Sequence, residues 1–448
     1  MRRNDSINKF AFLMGLCSAF QIWWSLSITE AIALVMFPCI LLDEYRYMKR
    51  NGITTYFWLA VLVVIGCAIS CWVNHCSFQQ SLRGLATTGI FVCAIVVGHW
   101  MLRKNMNCYK WFLVGTALSC ILNIFIFQNS AEVTGATGMA GGPGGMAVAE
   151  EIINNEYLFL TRFGPLSALP TKAFYLHTPM WWDVLVVGIV GLLPILNSTS
   201  GRSAALGTLG FIGLLLLGGK SMRTMKRVTK HFITLLCLGI VFVFAAKAFY
   251  SYAAKSGLMG DESLKKYEDQ TEGGEDILSL LMGGRMEVFC GLFACLDHPI
   301  VGFGPWAVDN DGYIDDYMAK YGTDEDLRIM AATEKYRAGK ARLIPGHSHI
   351  IGFWLWYGIF GLILWLYILY ILFRFLRQDC YAIPQWYAWL ACAIPGFLWD
   401  IFFSPFGDRF SRPMFFVAIL LARAVRLGKQ PLPYEMIREI EENERKRR

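Results

Sequence analysis

Apolar runs that are long enough to cross a lipid bilayer recur along almost the whole of this sequence. A helix needs about 20 apolar residues to cross the hydrocarbon core, where only helices and closed barrels satisfy the backbone. The runs cover residues 8–27, 28–42, 55–74, 84–102, 109–128, 182–198, 203–219, 231–250, 350–373, 382–403 and 410–426. Charged residues make up 17% of the chain, against about 25% in soluble domains. The sequence therefore predicts an all-α polytopic membrane protein.

Basic residues at the ends of these runs predict the orientation, because Lys and Arg concentrate in cytoplasmic loops. They are Arg46, Lys49, Arg50, Arg103, Lys104, Lys110, Lys220, Arg223, Lys226, Arg227, Lys230, Arg374 and Arg377. All of them face the cytoplasm only if one more span crosses between residues 157 and 180, a segment that contains Pro165, Pro170 and Pro179. We therefore expect about 11–12 transmembrane helices, with both termini in the cytoplasm.

Four regions follow from this topology. Residues 1–252 form a helix bundle, interrupted by a glycine-rich external loop near 129–180 that lacks the context of a nucleotide site. Residues 253–347 form one large external loop before the ninth or tenth span, and residues 348–427 return to the membrane. Residues 428–448 form a charged cytoplasmic tail. Candidate chemistry lies where the large loop meets the membrane.

Net charge and cysteine content exclude some classes of partner and site. The net charge of +7 is explained by the basic loops, so it does not indicate nucleic acid. The 13 cysteines lie mostly inside apolar runs and form no CxxC pair. They predict neither a disulfide framework nor a metal site.

Two arginines are candidates for holding an anion. Arg285 follows two glycines at the start of a helix that is predicted to run through Leu296 and to stop at Asp297-His298-Pro299. Here a guanidinium and open backbone N–H groups can bind an anion together, although a surface salt bridge is an equally good interpretation. Arg202 opens an uncharged span, where it either meets an anion or anchors the helix at the interface.

His347 is the candidate general base. It follows Pro345-Gly346 at the start of an apolar helix, whose dipole favours the neutral imidazole. The alternative is a hydrogen-bonding anchor at the membrane surface. His349, two residues later, would not share a helix face with His347. No Glu-x-x-His or Cys partner accompanies the pair, so the sequence predicts no metal.

Three blocks in this order resemble the O-antigen ligase and O-antigen polymerase superfamily of bacterial envelope glycosyltransferases. The first is Gly201-Arg202-Ser203, and the second is Gly284-Arg285 followed by the segment 297–304. The third is His347-Ser348 followed by Gly358-Ile359-Phe360-Gly361, where the family often has Asn in place of Ser348. The resemblance covers roughly the C-terminal half of the chain. The region before Arg202 is short for the two spans usually found there.

The resemblance implies an activity, a location and a set of site residues. The family transfers a glycan from undecaprenyl diphosphate to an acceptor hydroxyl at the periplasmic face of the inner membrane, without cofactor or metal. A ligase in lipopolysaccharide biosynthesis uses lipid A-core as acceptor, which makes 253–347 a periplasmic loop. His347 is then the base of an inverting transfer, and Arg202 and Arg285 bind the diphosphate.

Two groups of alternatives stay open at this stage. An O-antigen or exopolysaccharide polymerase and a protein O-oligosaccharyltransferase share this chemistry and differ in the acceptor. A lipid-linked glycan flippase or another transporter is of a different class. The absence of internal repeats and the single large loop speak against a transporter, and the proline-containing segment 157–180 speaks weakly for one.

Overall fold

The computed structural model describes most of residues 2–119, a few positions between 248 and 256, residues 286–321 and 342–379, most of 394–430, and residue 445. Arg202, Arg285, the glycine-rich loop and the segment 157–180 lie outside these residues. So do the spans predicted at 182–198 and 203–219, almost all of the span at 231–250, and nearly all of the charged tail. The described part is mostly helical.

The N-terminal part consists of helix α1 (Arg2–Leu16), a hairpin of β1 (Gln21–Trp23) and β2 (Leu26–Ser27), and helices α2 (Ile28–Asn51), α3 (Thr54–Val73) and α4 (Phe78–Lys104). The C-terminal part has α5 (Met286–Asp297), α6 (Tyr313–Tyr321), α7 (His349–Tyr357), α8 (Ile359–Arg374), a π-helical turn (Phe375–Asp379) and α9 (Ser411–Arg426). Helices α3 and α4 are long and apolar enough to cross a membrane. The rest of the predicted set of spans is not decided by these residues.

Helix α4 is the centre of the bundle and packs against α2, α3 and α9. Every residue from 90 to 99 is buried, as expected of a helix that is apolar on all sides. Tyr56 of α3 fills the centre, where its ring meets Phe91 at 6.0 Å and Phe416 at 6.3 Å between centroids. The aromatic packing thus joins the N-terminal helices to α9.

Side-chain caps define where α2 and α4 begin. The Ser27 hydroxyl accepts from the Glu30 N–H, while the Glu30 carboxylate accepts from the Ser27 N–H. Ser77 and Gln80 form the same reciprocal pair at the start of α4. Each capping box satisfies two backbone donors that the first turn would leave open.

The helices predicted at 55–74, 84–102 and 410–426 are present as α3, α4 and α9. The span predicted at 8–27 is wrong in its second half, because α1 ends at Leu16 and the chain turns into the hairpin. Local hydrogen bonds define the turn: Ser27 caps α2, and the Ile28 N–H donates to the Phe20 carbonyl at 2.9 Å. Hydropathy is an average over side chains and does not predict such hydrogen bonds.

The single helix predicted at 350–373 is also wrong, because Gly358 divides it into α7 and α8. At Gly358 the backbone has φ +62° and ψ −150°, a conformation that is essentially confined to glycine. The break lies in the middle of the third sequence block, so it belongs to the candidate site.

Candidate functional site

Ser348 fixes the start of α7. Its hydroxyl accepts from the Ile351 N–H at 3.3 Å and donates to the Ile401 carbonyl at 2.8 Å. Serine and asparagine are comparably good N-cap residues. The Ser348 position, where the resembling family often has Asn, is therefore explained by helix capping.

His347 directly precedes this cap and is half-buried. It lies at the N-terminal end of α7, towards which the positive end of the helix dipole points. The Ser348 cap fixes the backbone directly after His347. His347 thus lies at the start of a helix, as predicted from the sequence, and its role as general base stays a prediction.

Helix α5 runs alongside the segment that leads to His347. A Cβ atom added at Gly291 would lie only 2.5 Å from the Pro345 carbonyl oxygen. The Cys295 thiol contacts the Ile351 carbonyl at 3.6 Å. The predicted helix after Arg285 is present, and its first residue, Met286, immediately follows that arginine. The position of the Arg285 side chain lies outside the described residues.

The loop after α5 docks onto the break between α7 and α8. The Ile359 N–H donates to the Ile300 carbonyl at 3.0 Å, and the Phe303 N–H donates to the Leu355 carbonyl at 2.7 Å. The Trp354 indole N–H donates to the Pro299 carbonyl at 2.8 Å. These bonds join the segment 297–304 of the second block directly to the third block.

The other side of this loop meets the turn between α3 and α4. The Asn74 amide donates to the Gly302 carbonyl at 3.0 Å, and the Gln80 amide donates to the Trp306 carbonyl at 3.1 Å. Trp306 stacks on Trp356 of α7 with centroids 4.9 Å apart. The loop is thus held between the N-terminal helices and α7 at one end of the bundle.

Tyr313 adds a hydroxyl group at this end. It begins α6, where the Asp309 carboxylate accepts its backbone N–H at 2.9 Å. Burial and the hydrogen bond to Asp297 raise the pKa of the Tyr313 hydroxyl. The protonated phenol is the donor in its hydrogen bond to the Asp297 carboxylate.

His349 is completely buried and has both ring nitrogens engaged. Its Nδ1 lies 2.6 Å from the Ser404 carbonyl oxygen, and its Nε2 faces the Arg412 guanidinium. A guanidinium only donates, so Nε2 accepts and the proton resides on Nδ1. Arg412 also donates to Asp400 at 3.0 Å. This network holds His349 in place as a buried histidine with one donated and one accepted hydrogen bond.

A second ion pair with little solvent exposure joins α2 to the segment before α9. Arg409 binds Glu30 through two hydrogen bonds of 2.9 and 2.8 Å. Glu30 also caps α2, so this pair ties the N-terminal hairpin to the segment before α9. Two-point contacts of this kind fix geometry better than a single bond.

Of the three predicted site residues, the described residues contain only His347. Whether Arg202 and Arg285 approach it is untested. No protein-family model and no curated protein matches this chain.

Sequence reasoning missed Glu30, Arg409, Arg412 and Asp400. A signal for Asp400 and Arg412 was present, because both are charged residues inside apolar runs, where charge is rare and usually paired.

Proposed function

We propose that this protein is an O-antigen ligase-type glycosyltransferase, which transfers a glycan from undecaprenyl diphosphate to a hydroxyl of lipid A-core. The supporting observation is the set of hydrogen bonds between the segment 297–304 and the residues around the Gly358 break, at the C-terminal end of α7, whose N-terminal end is capped by Ser348 beside His347. Parts of two of the three sequence blocks are thus in direct contact. Their order and spacing are those of the superfamily that the sequence resembles.

The chemistry requires one base and a cationic site. The acceptor oxygen attacks the anomeric carbon, and its proton passes to the His347 imidazole. The bond between the anomeric carbon and the diphosphate oxygen breaks, and its electron pair leaves on undecaprenyl diphosphate. The leaving group is already ionised, so no general acid is needed, and attack from the opposite face inverts the configuration.

Arg202 and Arg285 are assigned to the diphosphate. A guanidinium keeps its charge and presents a planar pair of donors to phosphate oxygens. The lipid tail is assigned to a lateral groove among apolar helices, and the loop 253–347 to the glycan.

We propose that the site lies at the periplasmic face of the inner membrane, and the charge distribution supports this placement. Arg46, Lys49 and Arg50 lie at the end of α2 that faces away from the loop 297–304, as do Arg103 and Lys104 of α4. The positive-inside rule assigns that end to the cytoplasm and the His347 end to the periplasm. A set of 11–12 spans is part of this proposal.

The test uses purified full-length protein in detergent with undecaprenyl-diphosphate-linked glycan. Three acceptors are offered separately: lipid A-core, a second lipid-linked repeat, and a Ser/Thr peptide. Transfer to lipid A-core supports the ligase, whereas transfer only to another acceptor identifies a polymerase or a protein glycosyltransferase. Translocation of the glycolipid across vesicles without a new glycosidic bond identifies a flippase.

The base assignment is tested with His347→Ala, which should lose about 10²- to 10⁴-fold in rate. The matched control is His75→Asn. His75 is an exposed histidine in the α3–α4 turn, with φ +49° that asparagine tolerates. Near wild-type transfer by His347→Ala at equal expression would remove His347 from this role.

A further inference from the structure

A cavity of about 680 Å³ lies between the C-terminal halves of α2 and α4. This end of α4 is the one away from the α3–α4 turn, where Asn74 contacts Gly302. The polar lining of the cavity includes the four cations Arg46, Arg50, Arg103 and Lys104 and the two carboxylates Asp43 and Glu44. Nothing in the proposed glycan transfer uses these residues.

One carboxylate of this cavity is already neutralised within the protein. Arg103 binds Glu44 through two hydrogen bonds of 2.9 Å, and His99 Nδ1 lies 2.6 Å from the same carboxylate. Glu44 is 1% exposed. Among the described residues that line the opening, Arg46 and Arg50 then stand against the single carboxylate of Asp43, which gives an excess of positive charge suited to an anion.

Aromatic rings hold two of the cations in place. The Arg103 guanidinium lies 3.7 Å from the centroid of the Tyr47 ring, and the Lys104 ammonium lies 4.0 Å from that of Trp100. Such cation–π contacts orient a charged group against the face of the ring. Tryptophan and tyrosine are also typical of the level of the lipid headgroups.

The cavity also has apolar lining residues on α2, namely Cys39 and Ile40. Further along α2, Val35 is 73% exposed, and Leu42 is 82% exposed. Basic groups at the opening and apolar side chains beside it match an amphiphilic molecule better than a free inorganic anion.

We propose that this cavity binds the phosphodiester headgroup of an anionic phospholipid from the cytoplasmic leaflet. Basic pockets between transmembrane helices on the cytoplasmic side recognise such headgroups. Arg46 and Arg50 contact the phosphate, and the acyl chains lie against the exposed apolar side chains of α2. The proposal requires α3 and α4 to cross the membrane and is independent of glycan transfer.

The experiment is native mass spectrometry of the full-length protein in detergent with equimolar phosphatidylglycerol and phosphatidylcholine of identical acyl chains. Wild type should retain phosphatidylglycerol at least about fivefold better. Arg46→Gln with Arg50→Gln should reduce this preference about 25-fold or to parity, because each basic residue near the surface contributes about fivefold.

The matched control is Lys49→Gln with Lys429→Gln, which removes the same charge at the same end of the bundle. Both lysines are exposed, and neither lines the cavity. This control should keep the wild-type preference. Equal retention of the two lipids by wild type, or an equal loss in the control, would overturn the proposal. Displacement of phosphatidylglycerol by millimolar inorganic phosphate would assign the cavity to a soluble anion instead.

A second measurement needs no charge variant. Phosphatidylglycerol with brominated acyl chains should quench more fluorescence in wild type than in Trp100→Phe, because Trp100 lines the cavity. Brominated phosphatidylcholine should show a smaller difference between the two proteins. An equal difference for both lipids would contradict headgroup recognition.

Discussion

The Ile359 N–H donates a hydrogen bond of 3.0 Å to the carbonyl of Ile300, and this contact joins two sequence blocks across the candidate site. Gly358 makes it possible, because a Cβ there would lie 2.0 Å from the same carbonyl oxygen. Gly361 is equally constrained, since its Cβ would lie 2.2 Å from the Phe353 carbonyl oxygen. The two glycines of this block thus permit close backbone packing and have no chemical role of their own.

Replacing Gly358 by alanine should therefore destabilise the protein strongly. The strained backbone should contribute about 1–3 kcal/mol, and the contact with Ile300 a similar amount. The measurement is the thermal unfolding midpoint of the purified protein in detergent.

Gly428→Ala is the matched control for this substitution. Gly428 also has a positive φ of +67°, but a Cβ there would meet nothing within 4 Å. It should cost only about 1–2 kcal/mol of backbone strain. Equal losses in the two variants would mean that the contact with Ile300 does not contribute.

A second pair of glycines predicts a tight crossing between α1 and the helical residues around 108–119. A Cβ at Gly15 would lie 1.9 Å from the Phe112 carbonyl oxygen, and one at Gly115 would lie 2.1 Å from that of Phe12. Gly15→Ala or Gly115→Ala should each lower stability by about 1–3 kcal/mol. Gly89→Ala, in a helix position where a Cβ meets nothing within 4 Å, should be neutral or stabilising by up to about 1 kcal/mol. Similar midpoints for all three variants would refute the close crossing.

Helix existence was predictable from the sequence, whereas helix interruptions were not. Hydropathy predicted α3, α4 and α9, because the mean hydropathy of a long segment depends on many residues and is little changed by any single one. The break at Gly358 and the end of α1 at Leu16 depend on single partners, the Ile300 carbonyl and the hairpin. Such partners lie in distant or irregular segments of the chain. The helical period of 3.6 residues describes neighbours within one helix and therefore does not predict them.

The candidate site divides in the same way. His347, Arg202 and Arg285 were candidates from their positions at helix starts, and the roles that the resemblance implies for them stay predictions. The contacts of His349 could not be predicted from the sequence, because they come from Ser404 and Arg412, which are far along the chain. Burial and these tertiary hydrogen bonds distinguish His349 from the half-buried His347.

The carboxylate of Glu44 predicts a loss of stability in acid. Burial alone would raise its pKa, but the hydrogen bonds from His99 and Arg103 outweigh burial and lower the pKa below its ordinary value of 4.5. The stabilisation is therefore fully present above that value and is lost as the pH falls through the lowered pKa. The difference in unfolding midpoint between wild type and Glu44→Gln should be constant from neutral pH to about pH 5.5 and should shrink below it. Asp43→Asn, at the exposed neighbouring residue, is the matched control for the loss of one negative charge. A difference that stays constant to the lowest accessible pH would contradict the assignment.

The buried pair of Arg412 and Asp400 predicts non-additive substitutions. Arg412→Met leaves the Asp400 carboxylate, which is 5% exposed, without its guanidinium. The expected loss is about 3–5 kcal/mol. Asp400→Asn combined with Arg412→Met should lose less than the sum of the single losses, because the double variant buries no uncompensated charge. Denaturant unfolding of the four proteins in the cycle measures the coupling, and strictly additive losses would show that the pair does not interact.

Arg285 decides whether the proposed diphosphate site needs a planar guanidinium or only a positive charge. A lysine keeps the charge but loses the two parallel donors. If Arg285 binds the diphosphate through two hydrogen bonds, Arg285→Lys should reduce the transfer rate nearly as much as Arg285→Ala, by roughly 10²-fold or more.

Arg342→Lys is the matched control in the same loop, because Arg342 pairs at 2.6 Å with Asp315, whose side chain is 60% exposed. Exposed pairs of this kind contribute about 0–1 kcal/mol, so this variant should keep wild-type transfer. Full activity in Arg285→Lys would show that a positive charge is sufficient and that bidentate binding is not needed. Full activity in Arg285→Ala would show that Arg285 is not part of the site.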